Sequence, residues 1–394
     1  MGSTPLGSTI IAGVGQTEYS WRSGRTEATL AADAIDLALE DAALTVNDVD
    51  AMVRFAVEST APTELVTRFD IAPLRFAAED GNGGGSACGL LGLADAAIRS
   101  GRARVVVAYR AFNARSQLRL GHAPPTVVIA DGARTRAVGP SPPGEFGGPY
   151  GLGAPAHIFA LWARAYMHRF GIDEQRMETA LAAVVAAQRS SACANPRALL
   201  RDKPLPVDCY RSEPMVAEPL RRADLCLESD GACALVLCAP DVAADCGSRP
   251  VRLLGATQAI IGGYQDMFLT TPELPPRPPP GTVAALLDAH GLTVGDVDVL
   301  ATYDACSANV VFDVESIGLC EPGDGVDWVS APSVRVNTSG GLLAEVYLQG
   351  MNHLVELVRQ LRGSAATQVD GAEIALATGQ AVTSAALLAR GAGS

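Results

Sequence analysis

The stretch LTVNDVD at residues 44–50 recurs as LTVGDVD at residues 292–298, and six of the seven positions are identical. Each copy follows a segment rich in alanine, leucine and acidic residues. Each is followed by an apolar segment, AMVRF in the first case and VLATY in the second. Self-similarity at a fixed distance along a chain is typical of duplicated structural units. The repeat therefore predicts that two related α/β units build the chain.

Strand-like and helix-like segments alternate around the first copy of the repeat. Residues 8–19 are rich in β-branched side chains, and residues 26–44 carry apolar side chains at helical spacing. A glycine-rich turn then opens an alanine-rich segment at residues 83–101, and residues 102–112 contain a continuous apolar run. This alternation favours a mostly parallel sheet that is covered by helices on both faces.

The composition excludes several classes of protein. The chain has 394 residues and a formal net charge of −13, which argues against a nucleic-acid-binding surface because such surfaces are basic. No apolar run reaches the roughly 18–20 residues of a membrane span, so we expect no membrane-embedded part. The nine cysteines contain no CxxC pair, which predicts reduced thiols and a cytoplasmic location.

The reactive side chains narrow the chemistry further. The single lysine, Lys203, lies in the proline-flanked loop RDKPLPV, which argues against Schiff-base chemistry. The five histidines are isolated in the sequence, and we therefore expect no metal site. Acid–base or thiol chemistry remains. Its candidates are Cys88 at the start of a helix, Tyr303 with Asp304 at a strand end, and Tyr347 after a glycine-rich turn.

Four motifs, taken in order, resemble the thiolase superfamily and in particular its sterol-carrier-protein-type, lipid-transfer-protein-like branch. They are IAGVGQTEYS (11–20), DGACALVL (230–237), YDACSANVVFDVESIGLCEPGDG (303–325) and NTSGGLLAEVYLQG (337–350). The resemblance covers nearly the whole chain. It implies an α/β fold of duplicated βαβαβ halves in five αβαβα layers, with a loop and helical insertion in the first half.

The resemblance and the change of composition along the chain set the expected domain boundaries. We assign residues 1–118 and 225–248 to the N-terminal half and residues 249–394 to the C-terminal half. Residues 119–224 are the insertion, which begins as a proline- and glycine-rich stretch and continues as two helical segments. We expect this insertion to carry contacts with the substrate.

No cysteine occupies the place of the thiolase nucleophile in this chain. That place falls on Gly85, or on Gly84 with a one-residue slip, and Cys88 comes about three positions later. The late cysteine motif of the superfamily reads ATGQAV here, with Gly379 but without a cysteine. Claisen condensation and thiolysis need a nucleophilic thiol, so thiolase activity is not expected. A glycine in place of the cysteine would leave room beside the thioester for a tertiary carbinol.

Tyr303 and Tyr347 stand where the superfamily pattern has histidines. This set of changes resembles the steroid side-chain-cleaving aldolases of the same branch, which cleave a β-hydroxyacyl-CoA thioester by a retro-aldol reaction. The resemblance implies that Tyr347 is the general acid/base and Tyr303 its partner, and it leaves open which of the two takes the proton. Asp304 would either orient Tyr303 or cap a turn.

The resemblance also implies ligands and partners. Coenzyme A would enter as part of the substrate, with no separate cofactor and no metal. The protein would be a homodimer that works with a small partner made of an OB-fold and a zinc ribbon. The residues expected to bind the substrate belong to the glycine-rich turns and their neighbours: Gly84, Gly85, Cys88, Asn337, Gly340, Gly341 and Gly379.

Two other functions stay open on the sequence. An acyltransferase or condensing enzyme, for example in natural-product biosynthesis, could use Cys88 as a shifted nucleophile, because the start of a helix stabilises a thiolate. A non-catalytic subunit could instead bind acyl-CoA or hold a partner. The steroid nature of the substrate is implied by the resemblance alone.

Overall fold

The computed structural model describes residues 9–117, 127–131, 134–138, 148–243, 249–261, 273–279 and 281–391. The strands in these ranges are β1 Ile10–Gln16, β2 Ala51–Phe55, β3 Phe76–Asp80, β4 Val105–Asn113, β5 Val127–Asp131, β6 Arg134–Val138, β7 Met215–Ala217, β8 Leu220–Arg221, β9 Asp230–Cys238, β10 Val251–Gln258, β11 Val299–Ala301, β12 Arg335–Val336, β13 Ile374–Thr378 and β14 Ser384–Arg390. The helices are α1 Glu27–Asp41, α2 Pro62–Phe69, α3 Ser86–Arg99, α4 Pro155–Phe170, α5 Glu174–Ala194, α6 Pro240–Ala243, α7 Thr282–Asp288, α8 Ser307–Ile317, α9 Gly325–Trp328, α10 Gly341–Ala344 and α11 Met351–Arg362.

Ten strands are hydrogen-bonded in the order β12–β11–β13–β14–β10–β1–β9–β4–β2–β3. At one edge β2 pairs in parallel with β3 and β4, and at the other β11 pairs in parallel with β12 and β13. The inner pairings of both halves are antiparallel. The sheet is therefore mixed, and the expectation of a mostly parallel sheet is wrong, because the strands in the middle of the sheet run antiparallel to their neighbours. The two halves therefore have the same topology, and they meet through a short β1–β10 pairing at Ile10 and Ile11. The duplicated α/β fold predicted from the repeat is confirmed.

Two helices lie between the strands of the two halves. Helix α3 packs on β2 and β4 from the first half and on β10 and β14 from the second. Helix α11 packs on β11 and β13 and also on β1 and β9. On the outer faces, α1 covers β1 and β9, and α7 covers β10 and β14. These contacts give the five αβαβα layers, and they place the N-termini of α3 and α11 in the interior.

The two copies of the repeated motif fold in the same way. In the first copy, the backbone N–H and the hydroxyl of Thr45 both donate to Asp48 Oδ2 at 2.8 Å. In the second copy, Thr293 donates to Asp296 Oδ2 at 2.8 and 2.7 Å. The reciprocal bonds of this capping box fix a single helical turn before the strand.

The last aspartate of each copy ties two parallel strands together. The carboxylate of Asp50 accepts hydrogen bonds from the backbone N–H groups of Arg104 and Val105, where β4 begins. That of Asp298 accepts from the N–H groups of Glu373 and Ile374, where β13 begins. The motif thus sets the register between the strand that follows it and a parallel neighbour of that strand. These pairs are β2 with β4 in the first half and β11 with β13 in the second.

The insertion contains the two predicted helices, α4 and α5. Helix α5 packs on α8, α9 and α10, so the insertion covers helices of the second half. The proline- and glycine-rich stretch includes the antiparallel hairpin β5–β6. The rest of that stretch, at 118–126, 132–133 and 139–147, lies outside the described residues. The domain boundaries stay a prediction.

Within the part of the chain that the structure describes, no helix combines the length and the apolar character needed to cross a membrane.

We predict that Asp50→Ala and Asp298→Ala lower the free energy of unfolding by similar amounts, on the order of 1 kcal/mol each, because each removes the acceptor for two backbone N–H groups. Urea denaturation measures both changes. Asp288→Ala, which removes an exposed carboxylate from α7, is the control and should have little effect. A large effect at only one of the two repeat positions would contradict the equivalent roles.

Candidate active site

Two buried tyrosines meet where the halves of the molecule come together. Tyr303 follows strand β11, and Tyr347 lies in the segment between α10 and α11. Their side chains are 3% and 7% exposed, and the two hydroxyl oxygens are 3.0 Å apart. The pair that the sequence singled out for acid–base chemistry is therefore in direct contact.

Tyr347 is not on a continuous helix. The apolar spacing of residues 342–358 is typical of one helix, but α10 ends at Ala344 and α11 begins at Met351. Between them Gln349 and Gly350 have φ values of 51° and 90°, in the left-handed region that ends a helix. The segment 345–350 therefore leaves the helical path, and it carries Tyr347 into the site.

Contacts with the first half hold this segment in place. The backbone N–H of Tyr347 donates to the hydroxyl of Ser229 at 3.0 Å. A Cβ on Gly350 would lie 3.3 Å from the Cβ of Ala87 and 3.6 Å from the ring of Tyr303. The close approach of the backbone and its positive φ both favour glycine at this position.

The carboxylate of Asp304 binds the turn and a histidine. It accepts hydrogen bonds from the backbone N–H of Leu342 at 3.0 Å and from Nε2 of His353 at 2.9 Å. A side chain on Gly341, whose φ is +62°, would overlap this carboxylate. These contacts agree with the alternative that Asp304 caps a turn, and a role of Asp304 in orienting Tyr303 stays a prediction.

Asn337 and Gly340 shape the same turn. The side chain of Asn337 accepts from the N–H of Thr302 at 2.9 Å and donates to the carbonyl of Thr302 at 3.2 Å. This clamp fixes the end of β11 immediately before Tyr303. Gly340 has a φ of +109°, and a Cβ there would lie 2.7 Å from the Cβ of Ala192 on α5. The contacts of both residues are internal and position the backbone, and a direct role in substrate binding stays a prediction.

Gly84 lies against the tyrosine of the second half. A Cβ at Gly84 would be 2.7 Å from Cζ of Tyr303 and 2.7 Å from Oε1 of Gln380. The sequence suggested that glycine at the nucleophile's place leaves room for a carbinol. The structure corrects this interpretation, because the phenol of Tyr303 and the amide of Gln380 already lie where a substituent on Gly84 would stand. Gly84 is needed so that these two side chains can approach the start of α3.

Gly85 and Gly379 belong to the same contact. A Cβ on Gly379 would be 2.6 Å from Cα of Gly85. The hydroxyl of Ser384 donates to the carbonyl of Gly85 at 2.6 Å. These contacts join the turn before α3 to the turn after β13, so the three glycines bring the two halves together around Tyr303.

Cys88 does not have the properties of a nucleophile. Its side chain is 1% exposed and lies beside Gly89, Ala256 and Gln258. Burial raises the pKa of its thiol to about 12, against the opposite effect of a hydrogen bond with Ser384. The thiol is therefore protonated at neutral pH, and the reactive thiolate expected at a helix N-terminus is not favoured. The burial and the raised pKa argue against the hypothesis that Cys88 is a shifted nucleophile.

A buried ion pair in the first half supports the segment of Tyr347. Arg110 bonds to the carboxylate of Glu58 at 2.9 Å, and its Nε donates to Oε1 of Gln349 at 2.8 Å. The guanidinium also lies 4.3 Å from the ring centre of Phe112, whose ring centre is 6.2 Å from that of Tyr347. Burial raises the pKa of the Glu58 carboxyl, and the charge of Arg110 opposes this shift. The ion pair of the first half thus helps to fix the position of Tyr347 in the second half.

Several of these residues are not recognisable from the sequence alone. His353 is isolated in the sequence, Ser229 lies just outside the motif DGACALVL, and the motifs that contain Gln349 and Gln380 give no role to either residue. For Arg110 a signal existed, because it lies in the segment YRAFNARS, residues 109–116, which resembles a segment of the steroid side-chain-cleaving aldolases. No group of three or more histidine, cysteine, aspartate or glutamate side chains that could hold a metal ion occurs among the residues described.

Comparisons with known proteins identify the family of the chain. The family described as thiolase C-terminal domain-like matches residues 282–388. The 17-hydroxy-3-oxo-4-pregnene-20-carboxyl-CoA lyase of Mycobacterium tuberculosis is 36% identical over 380 residues, which cover 94% of this chain and 96% of the relative. The steroid side-chain-cleaving aldolase of Thermomonospora curvata is 34% identical over 372 residues, 92% of each chain.

Among the solved structures with this fold, one matches over almost the whole length of both chains. The Ltp2-ChsH2(DUF35) aldolase is similar to this chain with a TM-score of 0.86 and 31% sequence identity, covering 98% of this chain and 99% of the other.

We predict that Gly84→Ala lowers the free energy of unfolding by about 1–3 kcal/mol and strongly reduces activity, because the added methyl group displaces Tyr303 and Gln380. Gly92→Ala on the same helix is the matched control. Its Cβ would lie 3.6 Å from Ala256, an ordinary contact, so its stability should be unchanged or slightly higher. Thermal unfolding and turnover measure both variants. Equal behaviour of the two would contradict the close contact at Gly84.

We also predict that iodoacetamide at pH 8 leaves Cys88 unmodified in the folded protein, because only roughly one thiol in 10⁴ is ionised four pH units below its pKa. The exposed Cys193 and Cys209 should be alkylated under the same conditions, and peptide mass spectrometry distinguishes the three sites. The variant Cys88→Ala should keep the activity. Loss of turnover in a folded Cys88→Ala protein would restore Cys88 as the nucleophile.

Proposed function

The chain belongs to the steroid side-chain-cleaving aldolases of the thiolase superfamily and is a thiolase-like retro-aldolase of acyl-CoA thioesters, and we propose that its substrate is a steroid β-hydroxyacyl-CoA. The observation that carries the proposal is the contact between the hydroxyls of Tyr303 and Tyr347, 3.0 Å apart in a buried site. This site offers two proton-transfer groups, while the buried Cys88 offers no thiolate.

The reaction needs a base, a way to hold negative charge and an acid. A base removes the proton of the β-hydroxyl, the oxygen forms a carbonyl, and the bond between the α and β carbons breaks. The electron pair of that bond moves into the thioester and gives an enolate. Protonation of the α carbon then releases a shorter acyl-CoA beside the ketone. No covalent bond to the enzyme is required, which agrees with glycine at the place of the nucleophile.

We assign Tyr347 as the general acid/base and Tyr303 as its partner. An unperturbed tyrosine has a pKa of about 10, so a single phenol is a weak base at neutral pH. Two hydroxyls within hydrogen-bond distance can pass a proton between them, so the group that receives the proton from the substrate need not keep it. The clamps of Asn337 on Thr302 and of Ser229 on Tyr347 keep both phenols in position.

The steroid part of the substrate is supported by the relatives. The mycobacterial relative is a 17-hydroxy-3-oxo-4-pregnene-20-carboxyl-CoA lyase. In that compound the 17-hydroxyl is β to the thioester carbonyl. Cleavage between carbons 17 and 20 would therefore leave a 17-ketosteroid and propionyl-CoA. We propose a substrate of this type, with coenzyme A as part of the substrate and no separate cofactor.

We further propose that the protein is a cytoplasmic homodimer that works with a small OB-fold and zinc-ribbon partner. The support for the partner is the solved Ltp2-ChsH2(DUF35) aldolase, whose name includes a second component. The homodimer and the cytoplasmic location rest on the sequence-based expectations alone. Co-expression with such a partner, followed by size-exclusion chromatography with light scattering, tests both associations. A monomer that cleaves at the same rate with and without the partner would contradict them.

We predict that Tyr347→Phe lowers kcat for cleavage by about 10²–10⁴-fold, because it removes the hydroxyl that transfers the proton. Tyr303→Phe should also lower kcat. Formation of the ketone and of the shorter acyl-CoA is followed by mass spectrometry.

Tyr109→Phe is the matched control, because it removes a buried hydroxyl that donates to the carbonyl of Thr60, outside the site. It should keep kcat. If Tyr347→Phe cleaves at the wild-type rate while Cys88→Ala does not, the protein is a condensing enzyme. If wild-type protein binds acyl-CoA but turns over none, it is a non-catalytic subunit.

A further inference from the structure

Gln380 has a buried side-chain amide that forms no hydrogen bond through its nitrogen. The residue follows β13 and Gly379, and it is 5% exposed. Its backbone carbonyl accepts from the N–H and the hydroxyl of Thr383, at 3.1 and 2.8 Å. Across the described residues, Nε2 of Gln380 finds no acceptor. Leaving a buried donor unsatisfied is energetically costly, so such a group in a folded protein needs an explanation.

The amide of Gln380 lies at the reacting centre. The point at which a Cβ of Gly84 would stand is 2.7 Å from Oε1 of Gln380 and also 2.7 Å from Cζ of Tyr303. The amide and the phenol therefore both lie against the start of α3, so close to Gly84 that a methyl group there would overlap them. A half-turn about the last side-chain bond turns either the oxygen or the NH₂ group of the amide toward Gly84.

The backbone around Gln380 holds the side chain in this direction. The next two residues, Ala381 and Val382, have φ values of 52° and 51°, a conformation that is unfavourable for a β-branched residue. The turn is kept by the hydrogen bonds from Gly379 N–H to the carbonyl of Ser384 at 2.9 Å and from Val382 N–H to the carbonyl of Gly379 at 2.9 Å. The backbone turn around Gln380 is thus held in place, and its side-chain nitrogen lacks a partner among the described residues, as expected of a ligand-binding donor.

We propose that the side-chain NH₂ of Gln380 donates a hydrogen bond to the thioester oxygen of the substrate and stabilises the enolate. This role rests on the retro-aldol function. Negative charge appears on that oxygen when the bond between the α and β carbons breaks, and a fixed donor in a water-poor site is most effective there. The amide does not ionise, so it supplies the donor at every working pH. The tyrosine pair then handles only the protons of the β-hydroxyl and of the α carbon.

The test compares Gln380→Met, which keeps the length of the side chain without a donor, with Gln380→Glu, which keeps the shape but replaces the NH₂ by oxygen. Both variants should lower kcat for cleavage by about 10²–10³-fold, the effect of removing one donor to a developing oxyanion. KM should change by no more than about threefold, because the hydrogen bond strengthens only in the transition state. Gln175→Met, on the exposed side of α5, is the matched control and should keep both constants.

A second measurement follows the formation of the enolate separately from the cleavage reaction. Propionyl-CoA in D₂O exchanges its α proton only when the enolate forms, and mass spectrometry follows the exchange without any steroid. Wild-type protein and Gln175→Met should catalyse this exchange, and both Gln380 variants should lose it.

Exchange and cleavage at wild-type rates in folded Gln380 variants would overturn the proposal. An increase of KM with unchanged kcat would also overturn it, because it would assign Gln380 to ground-state packing. If wild-type protein cleaves no steroid thioester, the proposed function fails, and the exchange assay still tests the donor role of Gln380.

Discussion

The buried carboxylate of Asp304 is the group on which the geometry of the site depends. It is adjacent to Tyr303 in the chain, and it binds the backbone N–H of Leu342 and the ring of His353 across the turn that precedes Tyr347. A carboxylate without exposure to water is stable only when donors surround it, so these bonds are obligatory. Through them, one side chain fixes the strand end that carries the first phenol relative to the turn that carries the second.

Contacts from the first half also hold the two tyrosines in position. Glu58 and Arg110 form a buried ion pair that reaches Gln349, and Gly84 gives the ring of Tyr303 its space. A buried ion pair contributes little net stability, but breaking it leaves a costly unpaired charge, so it keeps its partners in one arrangement. The duplicated fold therefore brings the start of α3 and the end of β13 to one point, and the reactive groups come from the second half.

The change of reaction follows from these contacts. Where a thiol nucleophile would stand, the chain has a glycine, and Tyr303 and Gln380 lie so close to it that a side chain there would overlap them. Cys88, the thiol of helix α3, is buried, and this burial raises its pKa to about 12. The site thus has a glycine at the place of the nucleophile and two phenols in contact, and a retro-aldol cleavage requires proton transfer and charge stabilisation without a covalent bond to the enzyme.

The sequence by itself determined the duplicated α/β fold, from a seven-residue repeat, and it selected Tyr303 and Tyr347, because motif order and residue type are local information. Only the tertiary structure decided that α10 stops at Ala344, that Asp304 binds a turn and His353, and that Arg110 and Gln380 belong to the site. The physical reason is that these outcomes depend on positive φ values and on contacts between residues that are tens to hundreds of positions apart. Apolar spacing records which side chains are buried, and it does not record which groups they meet once they are buried.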